Sequence, residues 1–203
     1  MTMKQIMTMK QIRNAFIILW IVMGLAATPA LASPTSFVKN ILDEVMAVQN
    51  NPSLGESARA QAIRRVIQRS FDFPYMAQES LGGAYNNLSS GQRQEFTEVF
   101  SSLFQNSYTN MVLRFLKRET VEYGQETQRG GQAQVKTKLV RTNDTISVDY
   151  LLHKKGGGWL LYDVKVDGVS LLDKYKSGFA REIQARSFQS LIQKMKTQLK
   201  SVQ

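Results

Sequence analysis

The sequence contains no cysteine and only one histidine, His153, in 203 residues. The first absence excludes a disulfide. The two together exclude the usual zinc sites, which want several His or Cys ligands. There is no G-x-S-x-G elbow, no P-loop and no dinucleotide fingerprint. The many serines and threonines have no histidine partner nearby in pattern. Acidic residues are scarce as well, 16 against 26 basic ones. Such an excess suits anionic lipid, an acidic partner protein or nucleic acid, or it is simply a solvated basic surface. Long apolar runs are lacking except for one at the start.

That run, Ala15 to Ala27, follows a basic lead of Lys4, Lys10 and Arg13. Pro29 and the small-residue triplet Ala30-Leu31-Ala32 come next. This is the pattern of a secretory signal peptide, cleaved after Ala32. The run is shorter than the roughly 20 apolar residues needed to span a bilayer. Residues 1–6 repeat word for word as residues 7–12, which reflects a duplicated start region or a mis-chosen initiator rather than structure. Export places the protein outside the cytoplasm and argues against nucleic acid as a partner. From Ser33 onward 23 basic residues face 16 acidic ones, a formal +7. Residues 33–203 are long enough for one domain with a sizeable core.

Helical periodicity comes first. Phe37, Val38, Ile41, Leu42, Val45 and Met46 predict an amphipathic helix over 35–49. Ile63, Val66 and Ile67 predict a second over about 57–69. The segment 71–76 turns into a short helix that stops near Gly82-Gly83. Ser89 with Gln92 forms a capping box, opening a long helix to about Phe115 with a wide aromatic stripe. The period then becomes two. Strands are expected at 120–126, 132–141, 145–155 and 159–167, with turns at Gly130-Gly131, 141–144 and Gly156-Gly157-Gly158. Two amphipathic helices end the chain. The expected fold is α+β: a curled antiparallel sheet of about four strands with several helices packed on one face, whose apolar stripes read by periodicity alone as filled core.

Candidates for catalysis are sparse. His153 lies near a strand end, on the side of Asp149 that alternation assigns to solvent, and reads as a surface histidine. Asp149 and Asp163 are a conceivable carboxylate pair. The plainer reading is strand-edge charge, or a buried hydrogen-bonding Asp that fixes a turn.

Several motifs occur in order: Phe71-Asp-Phe-Pro-Tyr-Met-Ala77, Ser80-Leu-Gly82, Leu88-Ser-Ser-Gly-Gln-Arg-Gln-Glu-Phe96, Val148-Asp-Tyr150, Gly158-Trp-Leu-Leu-Tyr-Asp-Val164 and Asp167-Gly-Val-Ser170. Across nearly the whole exported chain they resemble the MlaC family, the toluene-tolerance auxiliary proteins of the Mla lipid-transport system. Tyr85 stands where many relatives carry Trp, and Leu160 replaces a more usual polar residue. A hopanoid-associated branch is similar too.

The resemblance implies a periplasmic phospholipid carrier that is not an enzyme. Its cargo is its only bound group, with no further cofactor. Helices and sheet would enclose an apolar pocket holding the acyl chains, with the head group outside. Docking partners would be an outer-membrane lipoprotein–porin complex and an inner-membrane ABC transporter with an MCE-domain subunit. The carrier itself is expected to be a monomer. The expected lining is Phe73, Met76, Phe100, Phe104, Tyr108, Met111, Val135, Val148, Tyr150, Tyr162, Val164, Leu172 and Tyr175, somewhat over half of them touching ligand. Tyr150, Tyr162 and Tyr175 are expected to place hydroxyls near the mouth. Two other readings stand beside this one. One is an adaptor that bridges partner proteins and carries nothing. The other is an enzyme using His153 or Asp163 on a small apolar substrate.

Overall fold

Ser33 caps a helix. Its side chain accepts the N–H of Ser36, and Pro34 occupies the first turn, where a missing N–H costs nothing. A computed structural model describes residues 33–117 and 119–201. The signal-peptide assignment, residues 1–32 with cleavage after Ala32, lies outside these. Helix α1 (Pro34–Gln49) buries Val38, Leu42 and Val45 at helical spacing. Helix α2 (Glu56–Ser70) buries Ile63, Val66 and Ile67. Helix α3 (Phe73–Leu81) is capped by Asp72, and the single turn α4 (Gly83–Asn86) follows. Helix α5 (Ser90–Phe115) runs 26 residues, about 39 Å at 1.5 Å per residue. Both bonds of the Ser89/Gln92 capping box form, as the sequence predicts.

The sheet is an open antiparallel meander whose spatial order equals its chain order. Its strands are β1 (Thr120–Arg129), β2 (Gln132–Val140), β3 (Thr145–Lys155), β4 (Gly158–Val166) and the two-residue β5 (Val169–Ser170). The first strand runs three residues past its predicted end, and β5 adds a fifth to the expected four. Positive φ at both residues of Gly130-Gly131, Gly156-Gly157 and Asp167-Gly168 gives three two-residue hairpin turns. Such primed turns match the twist of the strands they join. Ala133, Val135, Thr137 and Leu139 of β2, with Val148, Tyr150 and Leu152 of β3, turn one buried face toward the helices. Helix α1 packs on β1 and β2, while α3 and helix α6 (Leu171–Ala185) pack on β4. The last helix, α7 (Phe188–Ser201), lies along α5. No helix among the described residues is long and apolar enough to cross a membrane.

One half of the core is an aromatic column. Phe96, Phe100, Phe104 and Tyr108 recur every four residues on α5, with successive ring centroids 6.0, 6.1 and 5.6 Å apart. Phe71 and Phe73 flank the column from one side, Tyr175 and Phe179 from another. These rings fill the space between α5 and its neighbours.

Candidate functional site

The same row of α5 continues as Val112 and Leu116, so its side chains shrink abruptly after Tyr108. Where the rings end, the interior is hollow. A cavity of about 220 Å³ lies between the C-terminal half of α5, helices α1 and α2, and the inner face of β2–β4. Ile41, Leu42 and Val45 of α1 form one wall. Ile67 and Phe71 close the α2 side, while Leu139, Ile146, Val148, Leu161, Val164 and Val166 supply the sheet. Only Tyr108, Tyr150 and Asp167 bring polar side chains to the lining.

The rim is at the C-terminal end of α5. Phe115 is 42% exposed there while also lining the cavity. The Arg141 guanidinium stacks 5.6 Å from its ring centroid and donates to the Phe115 carbonyl at 2.6 Å. Arg141 also pairs with Glu119 at 3.2 Å and Asp144 at 3.7 Å. Opposite them, Asp167 accepts the Ser147 N–H at 3.0 Å and fixes the turn after β4.

At the other end stand Tyr108 and Tyr150. Burial pushes both phenols well above their ordinary range. Their hydroxyls are the polar groups of the inner end.

Polar clasps at both ends hold the α1 wall in place. At its start, the N–H and the hydroxyl of Thr35 donate to Glu126 Oε2 at 2.8 and 2.6 Å. At its end, Gln49 Nε2 donates to the carbonyls of Val112, Leu113 and Leu116 at 3.2, 3.4 and 2.8 Å. Asn50 Nδ2 reaches Lys117 O at 3.3 Å. The Leu113 and Leu116 carbonyls at the end of α5 thereby gain a donor from α1, while Val112 O also accepts the Leu116 N–H.

Five of the expected lining residues meet at this cavity: Tyr108, Met111, Val148, Tyr150 and Val164. The others lie elsewhere. Phe73, Phe100 and Phe104 belong to the aromatic column, and Tyr175 packs on it. Met76 and Val135 are fully buried in the core, as nearly is Leu172 on α6. Tyr162 sits at the β4 bulge against Tyr75 and His153. Of the three tyrosines expected to place hydroxyls near the mouth, Tyr150 lines this cavity and Tyr162 and Tyr175 do not. Sequence reasoning passed over the α1 wall, Ile67 and Phe71, and Phe115 at the rim. The fall in side-chain volume after Tyr108 was the available signal.

His153 is not a free surface histidine. Its Nε2 lies 2.9 Å from Asp72 Oδ2, and its ring is wedged against Tyr75 at 4.6 Å. Lys155 Nζ reaches both Asp72 oxygens at 2.9 and 2.7 Å. The cap of α3 folds over the end of the β3–β4 hairpin, and strand alternation does not register that crossing. Asp163 is the buried hydrogen-bonding Asp of the plainer reading. It accepts the N–H groups of Val164 and Leu172 and the hydroxyl of Ser170, fixing the start of α6. Asp149 accepts from Gln134 instead. Neither His153 nor Asp163 lines the cavity.

Comparison with known proteins adds three findings. The model of the family described as MlaC protein matches residues 39–197. The intermembrane phospholipid transport system binding protein MlaC of Haemophilus influenzae is 21% identical, covering 93% of this chain and 94% of that protein. A phospholipid-binding protein from Ralstonia solanacearum, solved in complex with a phospholipid, superposes with a TM-score of 0.72 at 24% identity. That match covers 82% of this chain and 96% of the other, and the likeness is one of fold.

Proposed function

The chain belongs to the MlaC family, and from that premise we propose that it is a periplasmic carrier holding phospholipid acyl chains in the cavity beside α5. The head group stays at the rim near Phe115 and Arg141. The carrier passes lipid between an outer-membrane lipoprotein–porin complex and an inner-membrane MCE-domain ABC transporter, as a monomer and without catalysis. The observation that carries this reading is the apolar hollow with an exposed aromatic at its rim. The names of the Haemophilus and Ralstonia relatives agree with it.

The energetics suit a carrier. Each buried methylene is worth about 0.8 kcal/mol, so two tails of roughly thirty methylenes resist entering water by about 20–25 kcal/mol. Spontaneous crossing of an aqueous gap is correspondingly slow, and a lined hollow removes most of that cost. An engineered cavity of about 150 Å³ accepts benzene. The 220 Å³ here therefore takes part of one chain and must widen for a whole lipid.

Native mass spectrometry of protein purified from its own periplasm tests the proposal. A phospholipid adduct that lipid extraction identifies is expected. A hopanoid adduct would move the assignment to the related branch. Protein that is ligand-free in every preparation and takes up no lipid from vesicles would favour the adaptor.

A further inference from the structure

We propose that Tyr108 and Tyr150 are the floor of the cavity and set the length of acyl chain the protein accepts without widening. The proposal rests on the carrier reading and adds a selection rule to it. Two facing walls give the depth independently. On α5, Tyr108 stands seven residues before the rim residue Phe115, a rise of about 10 Å. On β3, Tyr150 stands four residues beyond Ile146, the first lining residue of that strand, a rise of about 13 Å. Each is the innermost lining residue of its element.

Behind the floor the protein is solid. The Tyr108 ring packs at 5.6 Å on Phe104, the near end of the aromatic column, and at 5.4 Å on Phe71, which lines the cavity beside it. On the sheet the lining ends at Leu161 of β4, whose partner on β3 is the fully buried Leu152, the next inward residue after Tyr150. A chain tip that reaches the floor meets two rings it cannot pass, with hydroxyls to which a hydrocarbon offers no acceptor. An all-trans chain built of bonds about 1.5 Å long advances about 1.25 Å per carbon. The space from rim to floor therefore takes about eight to ten carbons. Longer chains fit only by displacing a tyrosine or by lifting a wall.

A series of alkyl phosphocholines from six to sixteen carbons, titrated calorimetrically below their micelle concentrations, tests this. In the wild-type protein, affinity should rise about four-fold per carbon up to eight to ten carbons and less than two-fold per carbon beyond. In Tyr108→Ala and Tyr150→Ala the break should move outward by two or more carbons. Tyr108→Phe and Tyr150→Phe keep the ring and should keep the break. Thermal melts establish that each variant is folded. Where an alanine variant is not, Tyr108→Leu or Tyr150→Leu is read the same way, with a smaller outward move expected. An unbroken rise through sixteen carbons, or a break unmoved in folded truncations, overturns the floor while leaving the carrier intact. A wild-type protein that binds none of the series overturns both.

Discussion

Replacing Val148 with Trp separates a hollow interior from a filled one. Val148 lies midway between rim and floor on β3 and is 5% exposed. An indole projecting from it takes about half the depth available to a chain. That removes room for about four carbons and lowers tail affinity by roughly 3 kcal/mol, or a hundred-fold to a few hundred-fold. The effect on the lipid-free protein has the opposite sign. An unfilled hollow of 220 Å³ costs about 5 kcal/mol at 24 cal/mol per Å³. Filling half of it recovers about 2–3 kcal/mol, against about 1–3 kcal/mol of strain from a poor fit. The delipidated variant should therefore melt between a few degrees below and several degrees above wild type. Its lipid stoichiometry by native mass spectrometry should collapse. The reasoning is refuted if lipid loading is unchanged. It is refuted equally if the delipidated variant loses more than about 5 °C, because a bulky ring forced into solid core behaves that way.

Burial tends to raise the Asp72 carboxyl, but the Lys155 ammonium, the Tyr75 N–H and His153 outweigh it and hold it below its usual value. A depressed carboxyl stabilises the fold above its unfolded pKa, near 4, and that stability is lost as pH falls through the lower folded value. Asp72→Asn should cost about 1–3 kcal/mol at neutral pH, and in urea titrations the gap to wild type should close below about pH 4. A pH-independent gap would contradict this. Gln49→Ala removes the side-chain donor to the Leu113 and Leu116 carbonyls, while Val112 keeps the Leu116 N–H, and should cost about 1–2 kcal/mol in chemical denaturation. It should also speed lipid loss to acceptor vesicles, since α1 is a cavity wall; unchanged transfer would make the clasp irrelevant to cargo. Phe115→Ala should change stability by about 1 kcal/mol or less, yet accelerate lipid release roughly five-fold. A vesicle-transfer rate equal to wild type would exclude Phe115 from the exit path.

The fold was legible because its signals are local. The Ser89/Gln92 box, the stripe on α5, the alternation of β2 and β3 and the glycine pairs between strands each declare an element within a few residues. The cavity was less legible for a physical reason. Periodicity tells which way Phe100 or Met111 turns; it does not tell how far off the opposing wall stands. Phe100 and Met111 look alike as stripe positions, yet one meets a ring of α6 and the other meets open space. The place where one regime passes into the other was written in the step from Tyr108 to Val112. The environment of His153 was hidden differently, because its partner Asp72 lies 81 residues away on another element.

The capping residue of α1 carries a consequence for maturation. Cleavage after Ala32 would leave Ser33, the residue whose side chain starts the first helix, as the new amino terminus. A free α-ammonium, with an ordinary pKa near 8, would then sit at the positive pole of that helix. The Glu126 carboxylate, held below its usual range chiefly by the Thr35 hydroxyl, is the countercharge already stationed there. The export machinery would thus make its cut with no slack: two residues further on, both the cap and the proline that opens the helix would leave with the leader.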